Sequence, residues 1–459
     1  GQLTVTAFND RIIDIEAGDS RKHAYGVAID VGTTSVVGTL LNLQTGEKLA
    51  EKGGINPQTT FGGDLMSRIA YSLYDDKKFA NLRVRLLNAL NSLIKDTCES
   101  AGIDAKHVYK IVVVGNTCMH HFVLGINVTY LGLSPYAASF RRPFTTVATE
   151  LPFKAVPNAR VCFLPVIAGF VGADTLACIL ATRIYESTEV RALVDIGTNG
   201  EVVMGSKDKL VACSAPAGPA LEGAEISHGM RGAVGAIERA KFVDGDFEFA
   251  VIGNVPAIGI CGSGLIDICS ELIAAGVMDL TGRLCKKDVG GLSKTLRKRL
   301  RVTDEGTEVI LVTSAASGKK EPVTLTQRDI RELQLAKGAI YAAIVMLQKV
   351  MGISDDELAE VMLCGGFGNY MNTQNAVKIR LLPMQPKDRI TYAGNAALLG
   401  AQMAVLSETE RHRATEIAKR VDHVALATHP DFQDIFLEGL EFPPAEAFSD
   451  SCDSVLAGD

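Results

Sequence analysis

The sequence predicts an α/β protein built from two similar lobes. Strand-like apolar runs alternate with amphipathic helical patterns along most of its 459 residues. That length exceeds the roughly 150 residues of an average domain. A short pattern of hydrophobic, Asp, hydrophobic, Gly, Thr and polar residues also occurs twice, within Ala28–Thr34 and Val194–Asn199, about 165 positions apart. Since solenoid repeats recur every ~20–50 residues, this interval indicates a duplicated lobe.

Composition excludes several classes of protein. Hydrophobic residues make up 47% and charged residues 22% of the chain, as expected of a globular protein. The net charge of -7 gives no basic field for nucleic acid or an anionic membrane surface. The apolar stretch Val161–Thr182 is interrupted by Pro165 and Gly169, so it is predicted to form a buried strand, loop and helix instead of a membrane span.

The ten cysteines show neither Cys-x-x-Cys pairs nor the spacing of zinc or iron–sulfur ligands. We therefore expect most of them to be small buried apolar side chains in a reducing cytosol. The chain starts at Gly1 without a charged segment followed by an apolar one, which also favours a cytoplasmic protein over a secreted one.

In the first half, each predicted element follows from its apolar pattern. Strands are predicted where β-branched and aliphatic runs end at turn residues, and helices where apolar residues recur every three or four positions. In chain order they are strands at Tyr25–Asp30 and Val36–Asn42 with a hairpin turn at Gln44–Gly46, a helix at Leu82–Ala101, a strand at Ile111–Val114 followed by Gly115-Asn116-Thr117, a strand at Arg160–Val166 and a helix at Asp174–Ile184.

The second half repeats the strand-and-turn pattern. Its predicted strands are Ala192–Asp195, Glu201–Gly205 and Glu360–Leu363, the last followed by Cys364-Gly365-Gly366-Phe367-Gly368. A long helix is predicted after a capping box, with Thr326 as N-cap and Asp329 at N3. We expect residues 283–325 to form a surface excursion, and residues 411–459 to carry a helix, a strand at His423–Ala427 and an acidic tail.

The two echoed loops carry groups that suit a nucleotide phosphate. Glycine lets the backbone turn tightly, so that N–H groups can point at phosphate oxygens. Threonine hydroxyls add side-chain donors, and an aspartate at the strand end can hold Mg2+ through water. One such loop is weak evidence, because Asp-x-Gly turns are common. Two of them from duplicated lobes could grip two phosphates from both sides, and the alternative is a pair of ordinary hairpins.

Five motifs in this order resemble the acetate kinase/sugar kinase/Hsp70/actin superfamily. Asp30–Thr34 and Asp195–Glu201 resemble its two phosphate motifs, and CGGFG at residues 364–368 resembles its adenosine motif. Gly169–Ala177 and Ala393–Ala401 resemble its two connecting helices. The resemblance implies a duplicated, two-lobed ATPase of RNase H-like (actin/Hsp70-type) lobes, with a nucleotide cleft between the lobes.

Longer sequence blocks resemble the ATPase part of the reductive activators of corrinoid proteins. These blocks are AIDVGTTSVVGTL, NPQTTFGGDLMSRI, VVVGNTCMHH, FVGADTLA, DIGTNGE, GPALEGA, GICGSGLID and CGGFGNY. The resemblance implies use of ATP and Mg2+ to drive Co(II) to Co(I) in a corrinoid protein partner, and a homodimer. Such activators also carry a [2Fe–2S] domain. The cysteines here lack cluster-binding spacing, so we expect that cofactor only in an N-terminal domain missing from this chain.

These patterns predict four segments along the chain. Residues 1–22 are expected to end a preceding linker or middle region, and residues 23–188 to form the first lobe. Residues 189–390 are expected to form the second lobe with the adenosine motif. Residues 391–459 are expected to return a helix to the first lobe and then extend to the C-terminus.

The loop chemistry and the resemblance together assign roles to individual residues. Asp30, Asp174 and Asp195 are the candidate catalytic residues; Asp30 and Asp195 would contact Mg2+ through water, and Asp174 or Asp195 would orient the attacking water. The candidate phosphate-binding residues are Gly32, Thr33, Thr34, Gly197, Thr198, Asn199 and Gly200. The candidate adenosine-binding residues are Gly365, Gly366, Phe367, Lys337, Gly262 and Ser263.

Some candidates have a structural alternative. Lys337 could simply extend from a buried helix face, and Gly262-Ser263-Gly264 could be only a tight loop at a helix start. Glu222 is a weaker candidate for a position beside the second phosphate loop. His120 and His121 are adjacent, so their side chains diverge and a structural role is favoured over a metal pair.

Two other functions fit the same nucleotide-binding motifs. A sugar or carboxylate kinase would need an aspartate base facing a small-molecule pocket, but no sugar-kinase substrate signature is present. An actin-like scaffold would bind nucleotide in order to change shape. The activator function is favoured because the matching blocks extend well outside the shared ATPase motifs.

Overall fold

The computed structural model describes seven stretches of the chain: residues 1–8, 10–153, 159–286, 291–304, 306–368, 371–385 and 387–444. Within them the strands are β1 (Leu3–Phe8), β2 (Arg11–Ala17), β3 (Tyr25–Val31), β4 (Ser35–Asn42), β5 (Lys48–Ile55), β6 (Val108–Gly115), β7 (Phe144–Val147), β8 (Arg160–Phe163), β9 (Arg191–Ile196), β10 (Gly200–Gly205), β11 (Leu210–Ala215), β12 (Ala236–Val243), β13 (Asp246–Val251), β14 (Gly259–Ile260), β15 (Leu300–Thr303), β16 (Gly306–Val312), β17 (Val323–Thr326), β18 (Glu360–Cys364), β19 (Ile390–Gly394) and β20 (Val421–His423).

The α-helices alternate with these strands. They are α1 (Leu65–Ser72), α2 (Asp76–Ser100), α3 (Thr117–Leu124), α4 (Ala173–Thr182), α5 (Gly262–Ala274), α6 (Lys294–Arg299), α7 (Gln327–Met351), α8 (Gly365–Gly368), α9 (Thr373–Lys378), α10 (Ala396–Leu406), α11 (Glu408–Arg420) and α12 (Phe432–Leu440). No helix in the described part of the chain combines the length and apolar character needed to cross a membrane.

The chain divides into two compact units, each made of more than one segment. The first unit consists of Gly1–Thr188, Ser206–Ala212 and Asn395–His423. The second unit consists of Glu189–Gly205, Cys213–Gly394 and Val424–Asp459.

The first unit is built on a six-stranded sheet in the order β5-β4-β3-β6-β8-β7. Strands β3, β4 and β5 form an antiparallel meander, whereas β6 pairs in parallel with both β3 and β8. Val27 and Ile29 of β3 share a buried cluster with Leu82 and Leu86 of α2. On the other side a Cβ at Gly26 would lie 2.5 Å from Val405 Cγ1 of α10, so the absence of a side chain there lets α10 pack closely.

A second six-stranded sheet, in the order β19-β18-β9-β10-β11-β20, repeats this strand order over five of its strands. Strand β9 pairs antiparallel with β10 and parallel with β18, which pairs in parallel with β19; β11 continues the sheet beyond β10. The order β11-β10-β9-β18-β19 thus matches β5-β4-β3-β6-β8 of the first unit. This match confirms the duplicated architecture that the two echoed motifs predict.

Residues 283–325 are not a surface excursion, so that expectation was wrong. Their described part forms α6 and the antiparallel sheet β15-β16-β17. Inside the basic run KTLRKRLR at residues 294–301, Leu296 and Leu300 are buried, and Val309 and Leu325 from the neighbouring strands are buried as well. Alternating apolar residues in these short strands outweigh the abundance of charge and turn residues.

Other expected elements occur with shifted boundaries. Helix α2 begins at Asp76 because the Asp75 side chain accepts hydrogen bonds from the N–H groups of Lys77 and Lys78. The prediction of a strand at His423–Ala427 was wrong. Strand β20 ends at His423, and Leu426–Thr428 forms a short 3-10 helix. Residues 3–17 form the antiparallel hairpin β1–β2.

Helix α7 anchors the segment after α12 within the second unit. It begins at the predicted Thr326–Asp329 capping box. The fully buried Lys337 donates from Nζ to the carbonyls of Gly439 at 2.6 Å and Glu441 at 2.7 Å. These carbonyls lie at the C-terminal end of α12, where helix carbonyls lack partners within the helix. Burial lowers the pKa of Lys337 to about 7, and a neutral amine retains two N–H donors for the two carbonyls.

Replacing Lys337 with Met should lower the free energy of unfolding by about 1–3 kcal/mol, because two buried carbonyls lose their donor. The matched control is Lys349→Met on the same helix. Lys349 forms an exposed ion pair with Asp431 at 3.3 Å, and such pairs contribute at most about 1 kcal/mol. Urea unfolding of both variants measures the difference, and equal losses would contradict an anchoring role for Lys337.

Candidate functional site

The first phosphate loop is the tight turn between β3 and β4. Asp30 occupies the next-to-last position of β3 and is half-buried. The Gly32 N–H donates to the Ser35 carbonyl at 2.9 Å, and this closes the turn. A Cβ at Gly32 would lie 2.8 Å from that same carbonyl oxygen, so the turn requires glycine at this position. Thr33 and Thr34 follow, both half-buried.

Two buried asparagines hold this loop. Asn56 donates from Nδ2 to the Gly32 carbonyl at 2.9 Å, and its own N–H donates to the Thr34 carbonyl at 3.0 Å. Asn116 donates from Nδ2 to the Thr33 hydroxyl oxygen at 3.0 Å. Both asparagines also cap helices that start beside the loop, the 3-10 helix Pro57–Phe61 and α3. The loop is therefore fixed from two separate elements of the first unit.

Asp174 lies in the first turn of α4, and its Oδ1 accepts from the Thr175 N–H at 2.7 Å. The start of α4 packs against the start of α3, because a Cβ at Gly172 would lie 2.5 Å from the Asn116 Cα. It would also lie 2.5 Å from Asp174 Oδ1. Asp174 and the asparagine that holds the phosphate loop are thus close neighbours through Gly172.

The second phosphate loop joins β9 and β10, and its closing hydrogen bond spans one residue fewer than that of the first loop. The Gly197 N–H donates to the Asn199 carbonyl at 3.0 Å. The Thr198 hydroxyl donates to Glu222 Oε2 at 3.0 Å, so Glu222 lies directly beside this loop. Gly200 has a packing role as well, because a Cβ there would lie 2.8 Å from Ile340 Cγ1 of α7.

The adenosine motif meets the second phosphate loop at adjacent strand ends. Cys364 of β18 pairs with Asp195 of β9. The next residue, Gly365, has φ +83°, and a Cβ on it would lie 2.6 Å from Asp195 Oδ1. A Cβ on Gly366, by contrast, would meet open space. The structure therefore brings Asp195 and Gly365 together, while the side chain of the third predicted residue, Phe367, lies outside the described part.

The remaining adenosine candidates occupy packed positions in the second unit. Gly262 and Ser263 open α5 and are buried, and the Ser263 hydroxyl is 3.2 Å from the Cys261 Sγ. Lys337 contacts the carbonyls of Gly439 and Glu441 at the C-terminal end of α12, as described above. A nucleotide role for these three residues stays a prediction.

His120 and His121 are buried residues of α3. His121 Nδ1 is 2.7 Å from the Thr117 carbonyl, and the Ser139 N–H donates to His121 Nε2 at 3.2 Å; the ring is therefore neutral with its proton on Nδ1. His120 packs edge-on against Phe163, and burial lowers its pKa to about 3. Over the described residues, no group of three His, Cys, Asp or Glu side chains is arranged to hold a metal ion.

Sequence reasoning missed Asn56 and Asn116 as residues that support the site. The available signals were an asparagine directly before Pro57 at a helix start, and another directly after the buried strand β6. Both patterns predict helix N-caps, but neither indicates that the second polar group of the amide reaches the phosphate loop.

Two sheets of the same strand order, each with a glycine–threonine loop after its first strand, define a protein of the actin/Hsp70/sugar-kinase (ASKHA) class. Comparison with family models assigns the chain to one family within this class. Residues 189–451 match the C-terminal ASKHA domain of RACo, and residues 25–187 match the RACo middle region. The chain belongs to this family of reductive activators of corrinoid proteins.

Individual relatives agree with this assignment. The corrinoid activation enzyme RamQ of Eubacterium limosum is 35% identical over 96% of this chain and 74% of its own length. The [Co(II) methylated amine-specific corrinoid protein] reductase of Methanosarcina barkeri is 26% identical over 91% of this chain and 77% of its own length. A solved reductive activator for a corrinoid, iron–sulfur protein superposes with a TM-score of 0.84 at 35% identity, covering 94% of this chain and 68% of that one.

Replacing Gly365 with Ala should lower the free energy of unfolding by about 1–3 kcal/mol. The position has a left-handed backbone that strains an alanine, and the new Cβ would collide with Asp195. Gly366→Ala is the matched control, since its Cβ meets open space. Chemical unfolding of the two variants tests the contact. Similar stability losses in both would show that Gly365 does not press on Asp195.

Proposed function

We propose that this chain binds and hydrolyses ATP, and that hydrolysis drives reduction of a corrinoid protein from Co(II) to Co(I). The observation that carries the proposal is the first phosphate loop: a glycine turn at a strand end, held by two buried asparagines, with a threonine hydroxyl at its half-exposed tip. A hydroxyl donor held in a fixed position in this way suits a phosphate oxygen. Membership in the RACo family supports the corrinoid protein as partner.

Each predicted group has a chemical task in this proposal. Thr33 and Thr34 of the first loop, and the glycine–threonine turn Gly197–Asn199 of the second, contact phosphate groups of ATP. Gly365 and Gly366 let the backbone pass close to the adenosine, because neither carries a side chain and Gly366 faces open space. Glu222 holds the Thr198 hydroxyl and so sets the orientation of the second loop.

The aspartates fit the requirements of Mg2+, which prefers oxygen ligands and keeps several of its waters. Asp30 and Asp195 are half-buried carboxylates near the ends of equivalent strands, so they can contact the ion through water without a dedicated cage of side chains. When bound, Mg2+ neutralises charge on the phosphates. Asp174, in the first turn of α4, or Asp195 orients the water that attacks the terminal phosphate.

The redox step needs one electron for each cobalt atom. In the proposal, that electron comes from the reduced [2Fe–2S] centre expected in an N-terminal domain. ATP can promote the transfer only if it binds better to the conformation that fits the corrinoid protein than to the alternative conformation. A homodimer in the cytoplasm completes the proposal. None of the nine cysteines in the described stretches forms a disulfide, and eight of them are buried, as suits a reducing compartment.

The rate of ATP hydrolysis with and without a Co(II) corrinoid protein tests this function. We expect a low basal rate that rises when the corrinoid protein is added. Asp195→Asn should reduce both rates about 100-fold or more, because the carboxylate beside the second loop is lost, while the fold is retained. Asp244→Asn, an exposed turn residue in the same unit, is the control and should leave both rates unchanged.

Other outcomes would favour the competing functions. ATP-dependent phosphorylation of an added sugar or carboxylate would indicate a kinase. Nucleotide-dependent sedimentation of large assemblies would indicate an actin-like scaffold. Unchanged turnover in Asp195→Asn would remove this residue from the catalytic site.

A further inference from the structure

The orientation of the Asn116 amide follows from its two hydrogen bonds. Asn116 is the N-cap of α3, and its side chain accepts from the Met119 N–H at 3.0 Å. An N–H can only donate, so the amide atom facing Met119 is the oxygen Oδ1. The atom 3.0 Å from the Thr33 Oγ1 is therefore the nitrogen Nδ2. Because Asn116 is only 7% exposed, little space remains for other orientations.

This orientation determines what the Thr33 hydroxyl can do. An amide NH2 group donates and does not accept, so Thr33 Oγ1 is the acceptor of the bond with Asn116. The Thr33 proton must then point away from Asn116. Thr33 is half-exposed, so that proton is available to an acceptor arriving from outside the loop. Phosphate oxygens are acceptors of this kind.

The corresponding threonine of the second loop has the opposite polarity. Thr198 donates its proton to Glu222 Oε2 at 3.0 Å, because an ionised carboxylate can only accept. The Gly-Thr pattern by itself therefore does not decide whether the hydroxyl offers a proton to a ligand. In the first loop, the neighbouring asparagine makes that decision.

The position of Asn116 is fixed as firmly as its orientation. A Cβ at Gly172 would lie 2.5 Å from the Asn116 Cα, so the start of α4 presses on this residue. On the other side of the loop, Asn56 holds the Gly32 and Thr34 carbonyls that flank Thr33. The threonine thus has a fixed backbone and a hydroxyl that already accepts a hydrogen bond from Asn116, so its proton points elsewhere.

We propose that Asn116 is a positioning residue for ATP, which acts by committing the Thr33 hydroxyl proton to a phosphate oxygen. This inference rests on the proposed ATPase function and assigns to Asn116 a role beyond capping α3. Asn116 itself need not touch the nucleotide.

The sharpest test is Asn116→Asp, which keeps the shape of the side chain and its ability to cap α3. The second carboxylate oxygen replaces Nδ2 and accepts the Thr33 proton, so the polarity of the hydroxyl is reversed. We expect the Kd for ATP to rise about 10- to 100-fold, the range for one lost hydrogen bond to a charged group. The Kd for adenosine, measured by competition, should change less than about 2-fold, since adenosine lacks the phosphates.

Two controls separate this effect from added charge and from general destabilisation. Asn372→Asp introduces the same charge at another helix N-cap, that of α9, and should leave ATP binding unchanged. Asn116→Ser retains an N-cap without charge, and it should weaken ATP binding in the wild type but not further in Thr33→Val. Urea midpoints of all variants confirm that each one is folded.

The outcomes distinguish this proposal from the function on which it rests. Wild-type protein that fails to bind ATP would refute the ATPase function, and this role for Asn116 with it. If the wild-type protein binds ATP and Asn116→Asp binds it equally tightly, only the role of Asn116 is overturned. Equal loss of ATP and adenosine binding in Asn116→Asp, or equal effects of Asn116→Ser with and without the Thr33 hydroxyl, would likewise overturn it.

Discussion

Both candidate loops depend on one constraint, which is parallel strand pairing. Strand β3 pairs in parallel with β6, and β9 pairs in parallel with β18. The pairing of β3 with β6 places Val31 opposite Gly115, and that of β9 with β18 places Asp195 opposite Cys364. Parallel strands end at the same edge of a sheet, so each phosphate loop meets the turn that follows the neighbouring strand. In the first unit that turn supplies Asn116, and in the second it supplies Gly365.

The same topology therefore supports different chemistry in the two units. After β6 the chain enters α3, whose capping residue holds the Thr33 hydroxyl and leaves its proton for a ligand. After β18 the chain turns through Gly365, which has a left-handed backbone and lies against the Asp195 carboxylate. The two similar strand frames thus carry different neighbours at equivalent strand ends: an asparagine against a threonine hydroxyl in one unit, and a glycine against an aspartate carboxylate in the other.

Sequence reasoning predicts the local features well, because they depend on neighbouring residues. The duplicated order of strands and the capping box at Thr326 both follow from short patterns. Contacts between distant residues are not visible in such patterns. Asn116 bonds to a residue 83 positions away, and Lys337 bonds to carbonyls 102 and 104 positions away. The sheet in residues 283–325 was misjudged for a related reason, since the burial of Leu300, Val309 and Leu325 depends on the pairing of three separate strands.

We propose that the first loop binds ATP phosphates with the Thr33 hydroxyl, oriented by Asn116. A crystal structure of the chain with Mg2+ and a non-hydrolysable ATP analogue tests it most directly. We expect a phosphate oxygen about 2.5–3.0 Å from Thr33 Oγ1, with the Asn116–Thr33 hydrogen bond intact. A bound analogue whose phosphates make no contact with Thr33, or an Asn116 side chain turned away from Thr33, would contradict it.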